Sequence, residues 1–200
     1  MDIDNLGISY AIGEDGAPHL TVPDGMRDFV VNFIRTTAVK TPAEIAAVVQ
    51  EGQDNILRGL AGLSDAQAQY KPAAGEWSIL DATAHIVTVK RLMPVLCNAL
   101  AQGALPPGFG PQLEEERAQD GVTAASFTSV AEARDAAEAA HLDMLAFIER
   151  MDQSQTGLRF SHYFFGSMNA REWACFYRVH DGDHGPYLMK IRQSHGFPAS

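Results

Sequence analysis

Each of the four longest amphipathic stretches in this chain opens on a Ser, Thr or Asn followed three residues later by Glu or Asp, and apolar residues at three- and four-residue spacing come next. The pairs are Thr41 with Glu44, Ser78 with Asp81, Ser129 with Glu132, and Asn169 with Glu172. In such a capping box the first side chain accepts an N–H that the opening helical turn leaves unpaired, while the acid reaches back to the cap residue. Each box therefore predicts a helix start. The stripes that follow are Ile45, Val48, Val49, Gly52, Ile56 and Leu60; then Ala82, His85, Val89, Leu92 and Leu96; then Ala137, His141, Met144, Leu145 and Ile148; and finally Trp173, Phe176, Tyr177, His180, His184, Leu188 and Ile191. Helices with one apolar face can bury those faces only against one another, so the pattern predicts an all-α, antiparallel four-helix bundle.

The bundle is expected over residues 41–200, preceded by an extension over 1–40. In the extension Leu6 to Ile12 and His19 to Val22 flank Gly13-Glu14-Asp15-Gly16 like a small hairpin, and Asp24 to Val39 can form a short helix. Residues 63–77 and 152–168 are moderate links. The stretch 103–128 is long, carries Pro106, Pro107 and Pro111, and could cross the bundle or cover its mouth. Pro94 and Pro186 each fall inside a helical pattern and are expected to bend it.

Charge and cysteine content exclude several function classes. There are 15 Lys and Arg against 25 Asp and Glu, a formal charge of -10 without a basic cluster, so phosphate backbones are repelled and nucleic acid is not an expected partner. No apolar run approaches the ~18 residues of a membrane span, and Met-Asp-Ile-Asp does not open a signal peptide. Cys97 and Cys175 lie among apolar neighbours without a CxxC pair, as reduced core thiols do. These features predict a soluble, cytoplasmic protein that does not act on membranes.

The histidines carry the chemistry. His180 and His184 are one helical turn apart on the apolar stripe of the last helix, and His85 points inward from the second. A buried imidazole without a partner costs about 1–3 kcal/mol. One metal ion would satisfy all three, whereas separate hydrogen bonds to carbonyls or carboxylates would satisfy each alone. His141 lies near the third stripe and could replace or supplement His85, with a capped core histidine as the plainer reading. His162, in an aromatic linker, could approach the mouth of the site or simply be a loop residue. Asp181 and Asp183 flank the pair and are expected as solvated carboxylates, with orientation of a ligand or general-base action as the alternative, and Arg171, Glu172, Arg178, Lys190 and Arg192 also fall largely off the apolar stripe. Trp77 is expected to pack at a helix end.

The run Leu63-Ser64, Lys71-Pro72, Gly75-Glu76-Trp77-Ser78-Ile79 and Ala84-His85, with Tyr163, Phe165-Gly166, Asn169, Glu172-Trp173, His180-Asp181 and His184, resembles the DinB-like (YfiT-type) superfamily. The resemblance spans about residues 41–195. It implies a four-helix bundle, often a homodimer, that holds a divalent transition metal through His85, His180 and His184. Zinc or nickel come first, with iron or manganese as alternatives. Gly182, Gly185 and Pro186 depart from the helix-favouring residues usual around the second ligand of that family.

Three neutral imidazoles leave the metal its full charge and open positions, as catalytic sites do. The resemblance implies a transferase that joins a low-molecular-weight thiol to a small electrophile. The same site suits a hydrolase in which metal-activated water attacks an ester or amide. A non-catalytic, dimeric metal- or ligand-binding bundle is the third reading.

Overall fold

The structure, a computed structural model, describes residues 2–4, 6–7, 9–12, 18–106, 125–152 and 157–199, and for 9–12 and 18–21 their backbone only. Two strands, β1 (Ser9–Ile12) and β2 (Pro18–Thr21), pair antiparallel ahead of α1 (Met26–Ala38). Then come α2 (Pro42–Leu60), the single-turn α3 (Asp65–Ala68), α4 (Ile79–Ala101), α5 (Val130–Arg150), the hairpin β3 (Phe160–His162) and β4 (Gly166–Met168), and α6 (Ala170–Arg192). Most of the 103–128 connection and the Gly13–Gly16 turn lie outside the described residues.

Thr41, Ser78 and Asn169 form complete capping boxes with Glu44, Asp81 and Glu172. At the fourth start Ser129 caps Glu132 N–H, but the Glu132 carboxylate accepts from Thr128 N–H instead of reaching the cap residue. A further box, Ser64 with Gln67, opens α3. Its Gln67 also donates to Pro198 O, and Tyr70 hydroxyl donates to His195 O, so this turn clasps the end of the chain.

The four long helices form a bundle with α2 and α4 on one diagonal and α5 and α6 on the other. Helix directions follow from side-chain proximity. Gly52 lies against Asp181, and Gly59 against Leu188, so α2 and α6 run parallel. Lys90 meets Asp181 and Tyr177 while Trp77 meets Tyr187, so α4 and α6 are antiparallel. Ala133 clusters with Ala82 and Ile86, Ala137 and Ala140 with Val87, and Met144 and Ile148 with Met93 and Leu100, so α4 and α5 are parallel. The order is thus up-down-down-up rather than the fully antiparallel arrangement expected. Because two consecutive helices share a direction, the connection from Ala101 to Val130 has its ends at opposite ends of the bundle, which accounts for its length.

Helix α6 is the most enclosed element. It packs on α1, α2, α4 and β4. Arg171, Glu172, Arg178 and Asp181 are buried, contrary to the expectation that these charges face water. For Arg171 and Arg178 the reason is the extra cover: α1 and the N-terminal segment close over the face that a plain four-helix bundle would leave exposed. Arg171 donates to Ala38 O and Lys40 O at the end of α1, and Arg178 pairs with Asp4 at 2.6 Å. Both prolines lie within helices that continue past them.

Close approach of α2 and α6 requires glycine. A Cβ on Gly52 would sit 2.8 Å from Asp181 Cβ, and one on Gly59 would sit 2.8 Å from Leu188 Cβ. Neither neighbour is the free end of a flexible side chain, so helices must separate to admit a methyl. Gly52→Ala should therefore lower the unfolding free energy by about 1–3 kcal/mol in urea titration, the usual range for overpacking, despite alanine's higher helix propensity. Stability equal to or above that of the unaltered protein would show that the helices are not in this contact.

Candidate metal centre

His85 enters from the second turn of α4, and His180 and His184 from successive turns of α6. Because α4 and α6 are antiparallel neighbours, the three rings meet between them. Ring centroids lie 5.4 Å apart for His85 and His180, 4.8 Å for His85 and His184, and 4.5 Å for His180 and His184. His180 Nε2 is 3.4 Å from His85 Nε2, and one nitrogen from each ring lies within 4.8 Å of the others. Nitrogens bound tetrahedrally at about 2.0–2.1 Å are roughly 3.3–3.4 Å apart, so one edge of the triangle already has metal-site length. Among the described residues no other group of His, Cys, Asp and Glu converges in this way.

The environment keeps the two α6 rings neutral. Burial pushes the His180 and His184 imidazoles well below the usual histidine range, and neighbouring histidines push further. A neutral imidazole presents the lone pair that a metal needs. The three nitrogens thus fit a divalent transition ion in donor type and spacing.

His85 occupies the rim of the buried face of α4 and not its middle. That face runs through Ile79, Thr83, Ile86, Val87, Lys90, Met93, Pro94 and Cys97, while Val89 and Leu92, expected on the stripe, are half-buried. The Trp77 ring, 41% exposed, lies over His85 with centroids 5.1 Å apart, and Tyr187 meets the tryptophan edge-on. Trp77 is therefore a wall of the site as well as a helix-end residue.

Beneath the histidines lies a polar network that the sequence reading passed over. Lys90, 1% exposed, donates to Asp181 Oδ2 at 2.6 Å, Gln53 Oε1 at 2.9 Å and Tyr177 hydroxyl at 3.2 Å. Burial pulls the Lys90 ammonium down from the usual lysine range, and Asp181 pulls it back up. Asp181 is fully buried, which corrects the expectation of a solvated carboxylate. The signal was present: Lys90 is four residues from both Ile86 and Pro94 on an otherwise apolar face. Asp183 is half-buried, with Oδ2 3.9 Å from His184 Nε2.

The other histidines stay outside the cluster. His141 Nε2 pairs with Gln50 Oε1 at 3.0 Å and Nδ1 lies 3.5 Å from Tyr177 hydroxyl, the arrangement of a capped core histidine. His162 ends β3, where its Nδ1 accepts from Phe164 and Phe165 N–H and its ring packs on Phe176. Both thiols are buried, and burial pushes them above the usual cysteine range, which keeps them protonated.

A bundle with three converging imidazoles between two helices defines a class of candidate metalloprotein, and sequence comparison places it. The model of the DinB superfamily matches residues 49–188, and the chain belongs to that superfamily. YfiT from Bacillus subtilis, described as a probable metal-dependent hydrolase with an unusual four-helix bundle topology, superposes with a TM-score of 0.56 at 14% identity, covering 97% of this chain and 99% of YfiT. TT2238, described as a four-helix bundle protein, superposes with a TM-score of 0.52 at 21% identity over 75% of this chain and 99% of its own. No curated protein matches the sequence. No helix among the described residues is long and apolar enough to cross a membrane.

Burial, aided by Lys90, lowers His141 to about 4. Between pH ~6.5 and that value the unfolded chain binds a proton that the folded chain does not, so folding stability falls as pH falls. His141→Gln removes that contribution. Urea titrations at pH 7 and pH 5 should show a smaller stability loss for the variant than for the unaltered protein, and an equal loss would exclude a neutral, buried His141.

Proposed function

We propose that this chain is a metal-dependent hydrolase acting on a small-molecule substrate, with His85, His180 and His184 as the ligands. The observation that carries the proposal is the meeting of three imidazole nitrogens within 4.8 Å between α4 and α6. When bound, a divalent ion such as zinc or nickel, or iron or manganese, would lower the pKa of coordinated water and polarise an acceptor oxygen. The similarity to YfiT supports a hydrolytic reading.

The chain's own residues supply the rest. Trp77 and Tyr187 border the site and offer an apolar wall for a substrate to lie against. Asp183, 3.9 Å from His184 Nε2, is placed to take a proton from the attacking water. Membership of the family also leaves open thiol transfer, which would need groups to hold an anionic thiol. Lys90, a cation near the rings, is already committed to Asp181, Gln53 and Tyr177, and this favours hydrolysis. Homodimerisation is part of the same proposal and is read from molecular mass in solution.

Metal-loaded protein should hydrolyse an activated ester such as 4-nitrophenyl acetate without added thiol. The expected metal content is about one ion per chain, lost with activity in His180→Ala. Asp183→Asn should lower kcat by about 10²–10⁴ with little change in KM, as loss of a general base does. Product formation only when a thiol is present would transfer the proposal to thiol transfer, and failure to take up metal would defeat both.

A further inference from the structure

The pair His180 Nδ1 and Asp181 Oδ1 is left over from every contact described so far. Both atoms are buried, neither has a hydrogen-bond partner, and they lie 4.0 Å apart. Each unsatisfied buried polar atom costs about 1–3 kcal/mol, and each supplies what the other lacks: an imidazole N–H and a carboxylate oxygen. The remaining geometry narrows their roles. His180 Nε2 is turned toward His85, so Nδ1 is the nitrogen on the far edge of the ring. Asp181 Oδ2 is held by Lys90 Nζ at 2.6 Å, so Oδ1 is the oxygen left to accept.

We infer that Asp181, anchored by Lys90, is the positioning residue for His180: a small turn of the imidazole closes the 4.0 Å gap, so that Oδ1 accepts from Nδ1–H and keeps the Nε2 lone pair aimed at the space between the three rings. The inference rests on the metal-ligand reading of the histidines and goes beyond it by assigning the tautomer and its cause. A histidine whose second nitrogen donates to a carboxylate is fixed in ring orientation and is the more basic ligand. The Lys90–Asp181 pair has a matching logic. Lys90 receives three acceptors, from α2, α6 and the tyrosine ring of α6, which locks the carboxylate rather than leaving it free to turn away. Asp181 is in turn pressed by the absence of a side chain at Gly52, whose added Cβ would lie 3.0 Å from Asp181 Oδ2. The elements facing the histidines thus include a fixed acceptor, built from three separate segments of chain.

The test begins with metal-free protein, in which ¹H–¹⁵N spectra of the histidine rings report tautomers directly. His180 is expected as the Nδ1–H form. Asp181→Ala alone strands the Lys90 ammonium in the core and can prevent folding, so the informative variant is Lys90→Met with Asp181→Ala, which removes both charges together. Once thermal unfolding shows it folded, its His180 should populate both tautomers, and its Kd for zinc, read by chelator competition, should rise about 10–100-fold. Lys90→Gln with Asp181→Asn retains an amide oxygen at the same place and should recover part of the affinity and of the Nδ1–H preference. An unchanged tautomer and an unchanged zinc Kd in the Met/Ala variant would overturn the inference. If the unaltered protein takes up no zinc, the metal reading fails, while the tautomer comparison still decides whether Asp181 orients His180.

Discussion

Enclosing α6 on nearly all sides is the constraint from which the rest of this structure follows. A helix carrying Arg171, Glu172, Arg178, Asp181, His180 and His184 can be buried only if each polar group finds a partner, because an unpaired buried charge costs several kcal/mol. Each partner comes from a different part of the chain. The end of α1 supplies carbonyls to Arg171, Arg159 supplies a guanidinium to Glu172, and Asp4 supplies a carboxylate to Arg178. From α4 come Lys90 for Asp181 and His85 beside the α6 pair. Polar satisfaction of one helix thus fixes where the neighbouring elements lie.

The up-down-down-up order is part of the same solution. Running α2 parallel to α6 brings Gly52 and Gly59 into register with Asp181 and Leu188, and the missing side chains let the backbones approach. Antiparallel α4 then brings its second turn beside the middle of α6, which is where His85 meets the His180–His184 pair. The histidine cluster sits at the edge of the buried α4 face, so it combines a polar, enclosed base with a rim formed by the half-exposed Trp77. A catalytic metal requires both: ligands fixed from behind and open positions in front.

Much of this was readable in the sequence, for reasons that can be stated. Helix starts were visible because capping is local, and three of four boxes formed as the residue types require. The histidine cluster was visible because i, i+4 spacing places two imidazoles together whatever else the helix does, His85 falls on the stripe of the second helix, and the resemblance favoured His85 over His141. What escaped was long-range. Nothing within α6 tells that Asp181 faces a lysine rather than water, since that depends on which helix lies beside it and in which direction it runs. Lys90 could have been noticed as a charge within an apolar face. The burial of Arg178 could not, because its partner is Asp4, more than 170 residues earlier in the chain. Pro186 suggested a break beside His184, yet the helix runs on to Arg192 and both imidazoles stay on the α4 side.

The central claim is that one ion is held by three imidazoles drawn from two helices. X-ray absorption at the metal edge of protein loaded with one equivalent of zinc tests it most directly. The account predicts a first shell containing three imidazole nitrogens at about 2.0–2.1 Å, with the remaining position taken by a lighter oxygen donor. A shell with sulfur, or with one imidazole or none, would contradict it.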